Sequence, residues 1–239
     1  MHLPRDPEQN AQVRETRRKQ ILDAALTVYI RYGYHGTDMD AVAKEAQLAK
    51  GLVYYYYKTK KELFVALYTL MFDMGYSFSN ALLENAEGLN PIERLMVYTY
   101  GIFGANREFP RMMQFNIRVP FDAYAVFGPE QWKDGALKSS MHREALAKII
   151  AQGIAQGTIP ATNPSVAANS FWTVFVANLF EYSKLILGEQ PPYANDGEAF
   201  RETVRFCFQG LGIDTAVWNE CFEKVIRDNL NGGSVYEGL

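Results

Sequence analysis

Apolar residues recur every three or four positions along most of the chain, which predicts helices throughout. From Glu15 onward one helix face carries Ile21 and Tyr29. The pattern ends at Gly33 and Gly36, since glycine often follows a helix C-terminus. No segment alternates apolar and polar residues for long enough to indicate a strand. The sequence therefore predicts an all-α fold.

Two short helices separated by a tight turn follow the first helix. Residues 37–40 have a capping-box sequence that opens one of them, and the other covers about 49–56. A second capping-box sequence at 59–62 opens a long helix that runs to about residue 84. Two short helices braced by a longer one are typical of a helix-turn-helix unit, a frequent DNA-binding arrangement.

Proline positions divide the rest of the chain into helices. Asn90-Pro91 and Asn163-Pro164 each place a capping residue before a proline, which predicts two helix starts. Pro110 and Pro120 predict a short helix followed by a loop to about residue 128. The later helices are expected over about 90–106, 109–118, 129–157, 163–188, 196–210 and 214–230. Residues 1–14 are expected to form a flexible arm and residues 232–239 a frayed tail.

Charge is distributed unevenly over the 239 residues, whose net charge is -3. Residues 1–64 contain 11 Lys and Arg against 8 Asp and Glu, a net of +3. Residues 65–239 contain 13 against 19, a net of -6. This asymmetry has the sign expected of a DNA-binding head on an acidic body.

Residues 18–67 resemble the DNA-binding domain of TetR-family (TetR/AcrR-like) transcriptional regulators. The resemblance is carried by ILDAA at 21–25, GYHGT at 33–37, AVAKEA at 41–46 and KGLVYYYYKTKKEL at 50–63. It implies a helix-turn-helix domain over 15–62 and a helical ligand-binding and dimerisation domain over 63–231. It also implies a ligand-responsive, sequence-specific regulator, most often a repressor released from its operator by a small molecule.

The same resemblance implies roles for individual residues. The recognition helix would cover 48–54 and enter the major groove. Thr37 would cap the second helix and touch a phosphate, Gly51 would let the backbone approach DNA, and Lys60 would bind phosphate at the start of the fourth helix. The predicted DNA-binding residues are Thr37, Ala49, Lys50, Gly51, Leu52, Tyr54, Tyr55, Tyr56 and Lys60.

Three positions depart from the family pattern. Gln47 replaces the usual turn glycine, which would cost about 1–2 kcal/mol if that residue is left-handed. Ala49 replaces the usual Ser or Thr cap, so one backbone N–H group would lose its side-chain partner. Leu52 replaces a common threonine and offers a thymine methyl only apolar contact. The fold assignment survives these changes, but an operator sequence cannot be transferred from relatives.

Aromatic residues are concentrated in the segment 98–132, which contains nine of them. Such side chains line either a pocket for an apolar or aromatic effector or an ordinary core. The predicted ligand-binding residues are Tyr98, Ile102, Met113, Phe115, Phe121, Phe127, Met141, Phe175 and Leu179. Arg118 or Glu181 would meet a polar head group of the effector.

A homodimer is expected because one helix-turn-helix reads only a few base pairs. Two copies about 34 Å apart would read a palindromic double-stranded DNA operator. The helices near 163–187 and 196–210 resemble the family's dimerisation pair, and the predicted interface residues are Phe171, Tyr182, Val204 and Phe208. The alternative for these residues is a core within one chain, and the favoured interpretation is a mixture in which one helix face packs in the core and another forms the interface.

An enzyme is the least favoured class. The three histidines are dispersed, no metal-ligand spacing occurs, and no glycine-rich phosphate loop follows a strand. We therefore expect no catalytic residues, no metal and no cofactor. No signal peptide or membrane span is expected, which favours the cytoplasm. The alternatives are a helical interaction or sensor protein with weakened DNA binding, and a transcriptional activator.

Overall fold

The computed structural model describes residues 7–86, 88–186 and 196–231. Over these residues the chain forms helices and no strand, which confirms the predicted all-α fold. The helices are α1 (Pro7–Gly36), α2 (Met39–Glu45), α3 (Lys50–Tyr56), α4 (Lys60–Asn85), α5 (Pro91–Glu108), α6 (Pro110–Ala155), α7 (Pro164–Ile186), α8 (Asp196–Gly210) and α9 (Thr215–Asn231). Within the described ranges, no helix combines the length and hydropathy needed to cross a membrane.

Side-chain caps explain why several predicted helix starts are right. Thr59 Oγ1 accepts the Glu62 N–H group at 3.1 Å at the start of α4. Asn90 Oδ1 accepts the N–H groups of Ile92 and Glu93, each at 3.0 Å, and so completes a capping box for α5. Because these contacts involve residues two or three positions apart, the local sequence specifies them.

Two predictions about irregular segments are wrong. Residues 7–14, expected to be a flexible arm, continue α1 toward the N-terminus, whereas residues 1–6 lie outside the described part. The loop expected after residue 118 is also wrong, because α6 continues through Pro120. Burial of Val119, Ala123 and Val126 on one face stabilises this segment and outweighs the backbone hydrogen bond that Pro120 cannot make.

Glycine marks the breaks inside the two longest helices. Gly128 (φ 73°) interrupts α6, which resumes at the predicted start, Pro129. Gly33 (φ 68°) interrupts α1, and a Cβ atom there would lie 2.6 Å from Nη2 of Arg118. The backbone conformation therefore requires glycine at residue 33, and a side chain there would also displace the guanidinium of Arg118.

The chain divides into two compact units. The head unit comprises Met1–Asp73 and Gln114–Pro129, and the body unit comprises Met74–Met113 and Glu130–Leu239. This division differs from the predicted boundary at 62/63, because α4 contributes its first half to the head and a segment of α6 joins it. The tail predicted at 232–239 lies outside the described residues.

Each unit has its own apolar core. In the head, Ile21, Val42, Val53 and Leu67 are buried. In the body, α7 packs against α8, and α5 packs against α7 and α9. The largest fully buried side chains of the body include Leu95, Leu146, Phe175, Phe208 and Trp218. Burying each such side chain contributes about 1.5–3 kcal/mol, so both units are held mainly by apolar contact.

Candidate DNA-binding surface and the buried polar cluster

The helix-turn-helix is built by α2, the turn over 46–49 and α3. Asp38 is the N-cap of α2, and its Oδ1 atom accepts the Ala41 N–H group at 2.6 Å. The predicted capping role of Thr37 is therefore wrong. The Thr37 side chain is buried and donates its hydroxyl to the Gly33 carbonyl at 2.7 Å, which stabilises the break in α1 instead.

The turn between α2 and α3 contains both expected irregularities. Gln47 has φ 54° and is the one non-glycine residue with positive φ among the described residues. The left-handed backbone lets Leu48 N–H reach the Ala43 carbonyl at 2.9 Å. Ala49 is the N-cap of α3 and supplies no side-chain hydrogen bond. The strain at Gln47 and the missing cap at Ala49 are both present, as the sequence predicted.

The recognition helix α3 has one buried face and one exposed face. Val53 and Tyr57 are buried and anchor the helix in the head. Tyr54 is 37% exposed and Tyr55 57% exposed. Two of the four consecutive tyrosines therefore face outward, because successive helical residues point about 100° apart. Lys50, Gly51 and Ala49 are also exposed, whereas Leu52 and Tyr56 are half-buried.

The protein itself does not require glycine at residue 51, since a Cβ atom there would have no neighbouring atom within 4 Å.

Lys50 forms an exposed ion pair with Asp40, with 2.7 Å between Nζ and Oδ2, and its ammonium lies 5.7 Å from the Tyr54 ring centroid. An exposed pair of this kind contributes only about 0–1 kcal/mol, so a phosphate could replace Asp40 at little cost.

Lys60, whose phosphate role stays a prediction, contacts the C-terminal end of α1 within the head. Its ammonium donates to the Tyr34 carbonyl at 2.9 Å and the His35 carbonyl at 3.3 Å. It also lies 4.7 Å from the Tyr34 ring centroid. Lys60 thus caps the C-terminal end of α1, with two of its three donors already engaged.

A segment of α6 completes the head. Arg118 Nη1 donates to the Ile30 carbonyl at 2.8 Å, and Asp122 Oδ2 accepts the Tyr34 N–H group at 3.2 Å. The Arg118–Asp122 pair therefore satisfies backbone groups on either side of the Gly33 break. Sequence reasoning assigned Arg118 to an effector head group and missed Asp122, because nothing local links residue 122 to residue 34.

Three predicted ligand-binding residues belong to the head and not to the body. Phe115 packs on Tyr29 with 5.5 Å between ring centroids. Phe127 packs on Phe64 and Tyr68. Phe121 is 82% exposed, so it lines no enclosed pocket. Grouping these residues with the body candidates was wrong, because the α6 segment that carries them packs in the head core.

The other six candidates lie in the body. Tyr98, Ile102 and Met113 are buried, as are Phe175 and Leu179, and Met141 is half-buried. Tyr98, Ile102 and Asn106 share one face of α5, since they are four residues apart. Asn106 donates to the Leu179 carbonyl at 3.3 Å, and its own Oδ1 atom is buried without a partner among the described residues.

The predicted interface residues are core residues of the single chain. Phe171, Tyr182, Val204 and Phe208 are each at most 4% exposed before any second chain is present. Phe171 and Phe208 contact each other across α7 and α8, with 5.7 Å between ring centroids. Their assignment to a dimer interface is wrong because they have no surface left to bury.

A polar cluster joins four helices of the body, with Ser79 and Tyr98 buried and His142 and Trp172 half-buried. His142 Nδ1 lies 2.5 Å from Tyr98 Oη and 3.3 Å from Ser79 Oγ. The imidazole stacks on Trp172 with 4.3 Å between ring centroids. Burial lowers the pKa of His142 to about 4, and the positive charge of Arg143 contributes to this shift. The ring is therefore neutral at pH 7.

Where the Tyr98 hydroxyl donates to Nδ1, the remaining proton of the neutral His142 ring lies on Nε2. Sequence reasoning missed Ser79, His142 and Trp172. No local pattern distinguishes them, because their four helices come together only in the folded body. Burial also raises the pKa of Cys207 and Cys221 to about 12, so both remain thiols and neither is an activated nucleophile.

Comparison with known proteins agrees with this geometry. Residues 21–67 match the family model of bacterial regulatory proteins of the tetR family. The uncharacterized HTH-type transcriptional regulator YhgD of Bacillus subtilis is 29% identical over 180 residues, covering 74% of this chain and 87% of YhgD. The HTH-type transcriptional repressor KstR of Rhodococcus jostii is 31% identical over 141 residues, covering 59% of this chain and 64% of KstR.

Solved structures share the fold at low sequence identity. AibR in complex with isovaleryl coenzyme A and operator DNA has a TM-score of 0.64 at 18% identity, covering 83% of this chain and all of AibR. FadR of Bacillus subtilis in complex with stearoyl-CoA has a TM-score of 0.58 at 17% identity, covering 82% of this chain and 99% of FadR. The matched residues 21–67 and the two related regulators show that the chain belongs to the TetR family of DNA-binding transcriptional regulators.

Proposed function

We propose that the protein is a homodimeric repressor that leaves its operator when an acyl compound binds the body. The DNA-binding part of this proposal rests on the two faces of α3, one buried and one exposed. Val53 and Tyr57 fix the helix, while Lys50, Tyr54 and Tyr55 face outward. A helix held in this way offers donors to phosphates and side chains to base edges in the major groove.

The proposed dimer interface is the outward face of α7 and α8. On α7, Val166 is 62% exposed, and Thr173 and Ala177 continue an exposed stripe of apolar and small residues. On α8, Phe206 is 64% exposed. Apolar side chains exposed on neighbouring helices favour burial against a second copy.

The dimer is tested by placing a charge in this face. We expect Phe206→Glu to convert the dimer into a monomer in light scattering and to weaken operator binding at least tenfold. Val217→Glu is the matched control, because Val217 is exposed on α9 outside the proposed interface. A dimeric Phe206→Glu variant would contradict the proposed interface.

The proposed effector is an acyl compound, one of the apolar ligands that the aromatic content favours. Support comes from the apolar residues Ile102, Phe175 and Leu179 of the body and from the complexes of AibR and FadR with acyl-CoA molecules. His142 Nε2 would donate to an acyl carbonyl, and the unpartnered Oδ1 atom of Asn106 would accept a donor. Asn106 marks one end of the α5 face formed by Tyr98, Ile102 and Asn106, and His142 contacts Tyr98 at the other end. This face is about 12 Å long.

Release would follow from a population shift. The effector has to bind the DNA-incompetent state more tightly than the competent one. A tenfold loss of operator affinity needs about 1.4 kcal/mol of difference between the two. Both α4 and α6 contribute residues to the head and to the body, so chain connectivity offers two routes from the effector to α3.

The experiment is a titration of isovaleryl-CoA and stearoyl-CoA into the protein bound to fluorescent DNA from around its own gene. Acyl-dependent loss of anisotropy, with coenzyme A alone as the control, is expected. Persistent binding in the presence of both compounds would contradict an acyl effector of these lengths.

The alternative, a sensor with weakened DNA binding, rests on Gln47 and Ala49 and predicts no preference for one DNA fragment over another. An activator would bind the operator and raise transcription.

A further inference from the structure

The first half of α1 extends beyond the part of the chain that matches the family model, which begins at residue 21. Residues 8–16 are helical and exposed. A short helix that buries so little surface is marginally stable in water, so its conformation gains from any partner that it contacts. Its polar residues include four cations, Arg14, Arg17, Arg18 and Lys19, against the acidic residues Glu8 and Glu15.

This extension is tied to the recognition helix through Arg14. The Arg14 Nη2 atom donates to Tyr55 Oη at 3.3 Å, and both residues are exposed. The contact uses one of the five N–H groups of a guanidinium. Because the Tyr55 hydroxyl accepts in this contact, its own proton is available to a further acceptor.

A second cation lies on the same tyrosine. Lys58 Nζ is 5.6 Å from the Tyr55 ring centroid and donates to the Tyr55 carbonyl at 3.4 Å. Arg14, Tyr55 and Lys58 therefore form an exposed group, the Tyr55 cluster, contributed by α1, α3 and the residues before α4. A guanidinium, a phenol and an ammonium side by side supply donors and positive charge of the kind that binds phosphate.

Two carboxylates of this region, those of Glu15 and Glu62, lie close enough to the buried Tyr57 to act on its pKa. Burial is the main cause that raises this pKa, Arg18 lowers it, and both carboxylates raise it. Glu62 Oε2 also accepts the Lys58 N–H group at 2.8 Å, so this carboxylate stabilises the turn before α4. The Tyr55 cluster keeps its positive charge next to the exposed face of α3.

We propose that the Tyr55 cluster binds a phosphate of the DNA backbone and so extends the DNA interface from the helix-turn-helix onto the N-terminal half of α1. The proposal rests on the DNA-binding function of the head. The site positions the protein on the duplex and carries no base specificity, because phosphates are the same at every base pair. Arg14 is the residue that the helix-turn-helix motif alone would not supply.

The test measures DNA affinity over a salt series for the full chain and for Arg14→Gln. Losing one phosphate contact should reduce the slope of log K against log salt by about 0.9 and weaken binding roughly fivefold to tenfold at 0.1 M salt. The loss should be the same on operator and random DNA. Arg31→Gln is the matched control, since Arg31 is an exposed cation of the same helix, paired with Glu45 at 3.9 Å.

A double-mutant cycle of Arg14→Gln and Tyr55→Phe separates a joint site from two independent contacts. We expect the double variant to lose less than the product of the two single losses, because both groups serve one phosphate. Helical content and melting temperature should match the parent protein, since both side chains are exposed. An Arg14→Gln slope equal to that of Arg31→Gln would overturn the proposal while leaving DNA binding intact.

Discussion

The head and the body differ in where their polar side chains lie: those of the recognition helix are exposed, whereas several in the body are enclosed. In the head, apolar residues such as Val53 are buried so that Tyr54 and Tyr55 of the same helix stay exposed. In the body, polar groups are themselves enclosed, as Ser79 and Tyr98 are around His142. A surface that binds a large, charged polymer needs exposed donors, whereas selective contact with a small apolar molecule needs a few polar groups away from water.

The largest expected effect concerns the head, where two glycines have different structural roles. Gly33→Ala should lower the free energy of unfolding by about 2–4 kcal/mol, because alanine is strained at φ 68° and its Cβ atom would meet Arg118. Gly51→Ala should leave stability unchanged or slightly higher, since space is open there. Urea unfolding measures both. Equal losses for the two variants would show that Gly33 has no special structural role.

A pH titration tests the buried cluster of the body. The folded-state pKa of His142, about 4, lies below its ordinary value near 6.5. The contribution of His142 to the free energy of unfolding is therefore fully present above pH 6.5 and falls by about 3 kcal/mol as the pH decreases to 4. His142→Asn keeps a neutral polar group and should flatten this dependence in thermal unfolding between pH 7.5 and 4. An unchanged profile would mean that other groups cause the acid sensitivity.

The smallest expected effect concerns the turn of the helix-turn-helix. Gln47→Gly should raise the free energy of unfolding by up to about 1 kcal/mol, because glycine relieves the left-handed strain but gives back part of the gain as chain entropy. The free energy of unfolding of Gln47→Asn should lie between those of the parent protein and Gln47→Gly, since asparagine tolerates this conformation. A calorimetric scan measures the melting temperatures. A lower value for Gln47→Gly would show that the Gln47 side chain makes a compensating contact.

Local chemistry made most of the head predictable. Capping at Thr59 and the end of the helical pattern at Gly33 depend on residues within a few positions, so the sequence alone specifies them. The same reasoning failed where distant segments meet. Phe115 shares the head core with Tyr29, because a segment of α6 packs there.

The body was less predictable for a related physical reason. Helical spacing places Phe171 and Phe208 on apolar faces, but it does not say whether a face meets its own chain or a second copy. Here both faces pack inside one chain. His142 also gave no local signal, since its partners Ser79, Tyr98 and Trp172 come from three other helices.

The most direct test is DNA binding by a protein whose α3 surface alone is changed. Lys50→Ala combined with Tyr54→Ala removes exposed side chains and leaves the anchors Val53 and Tyr57 in place. Fluorescence anisotropy on DNA from around the gene should show at least a tenfold loss of affinity with an unchanged melting temperature. Binding equal to that of the parent protein would contradict DNA recognition through the exposed face of α3.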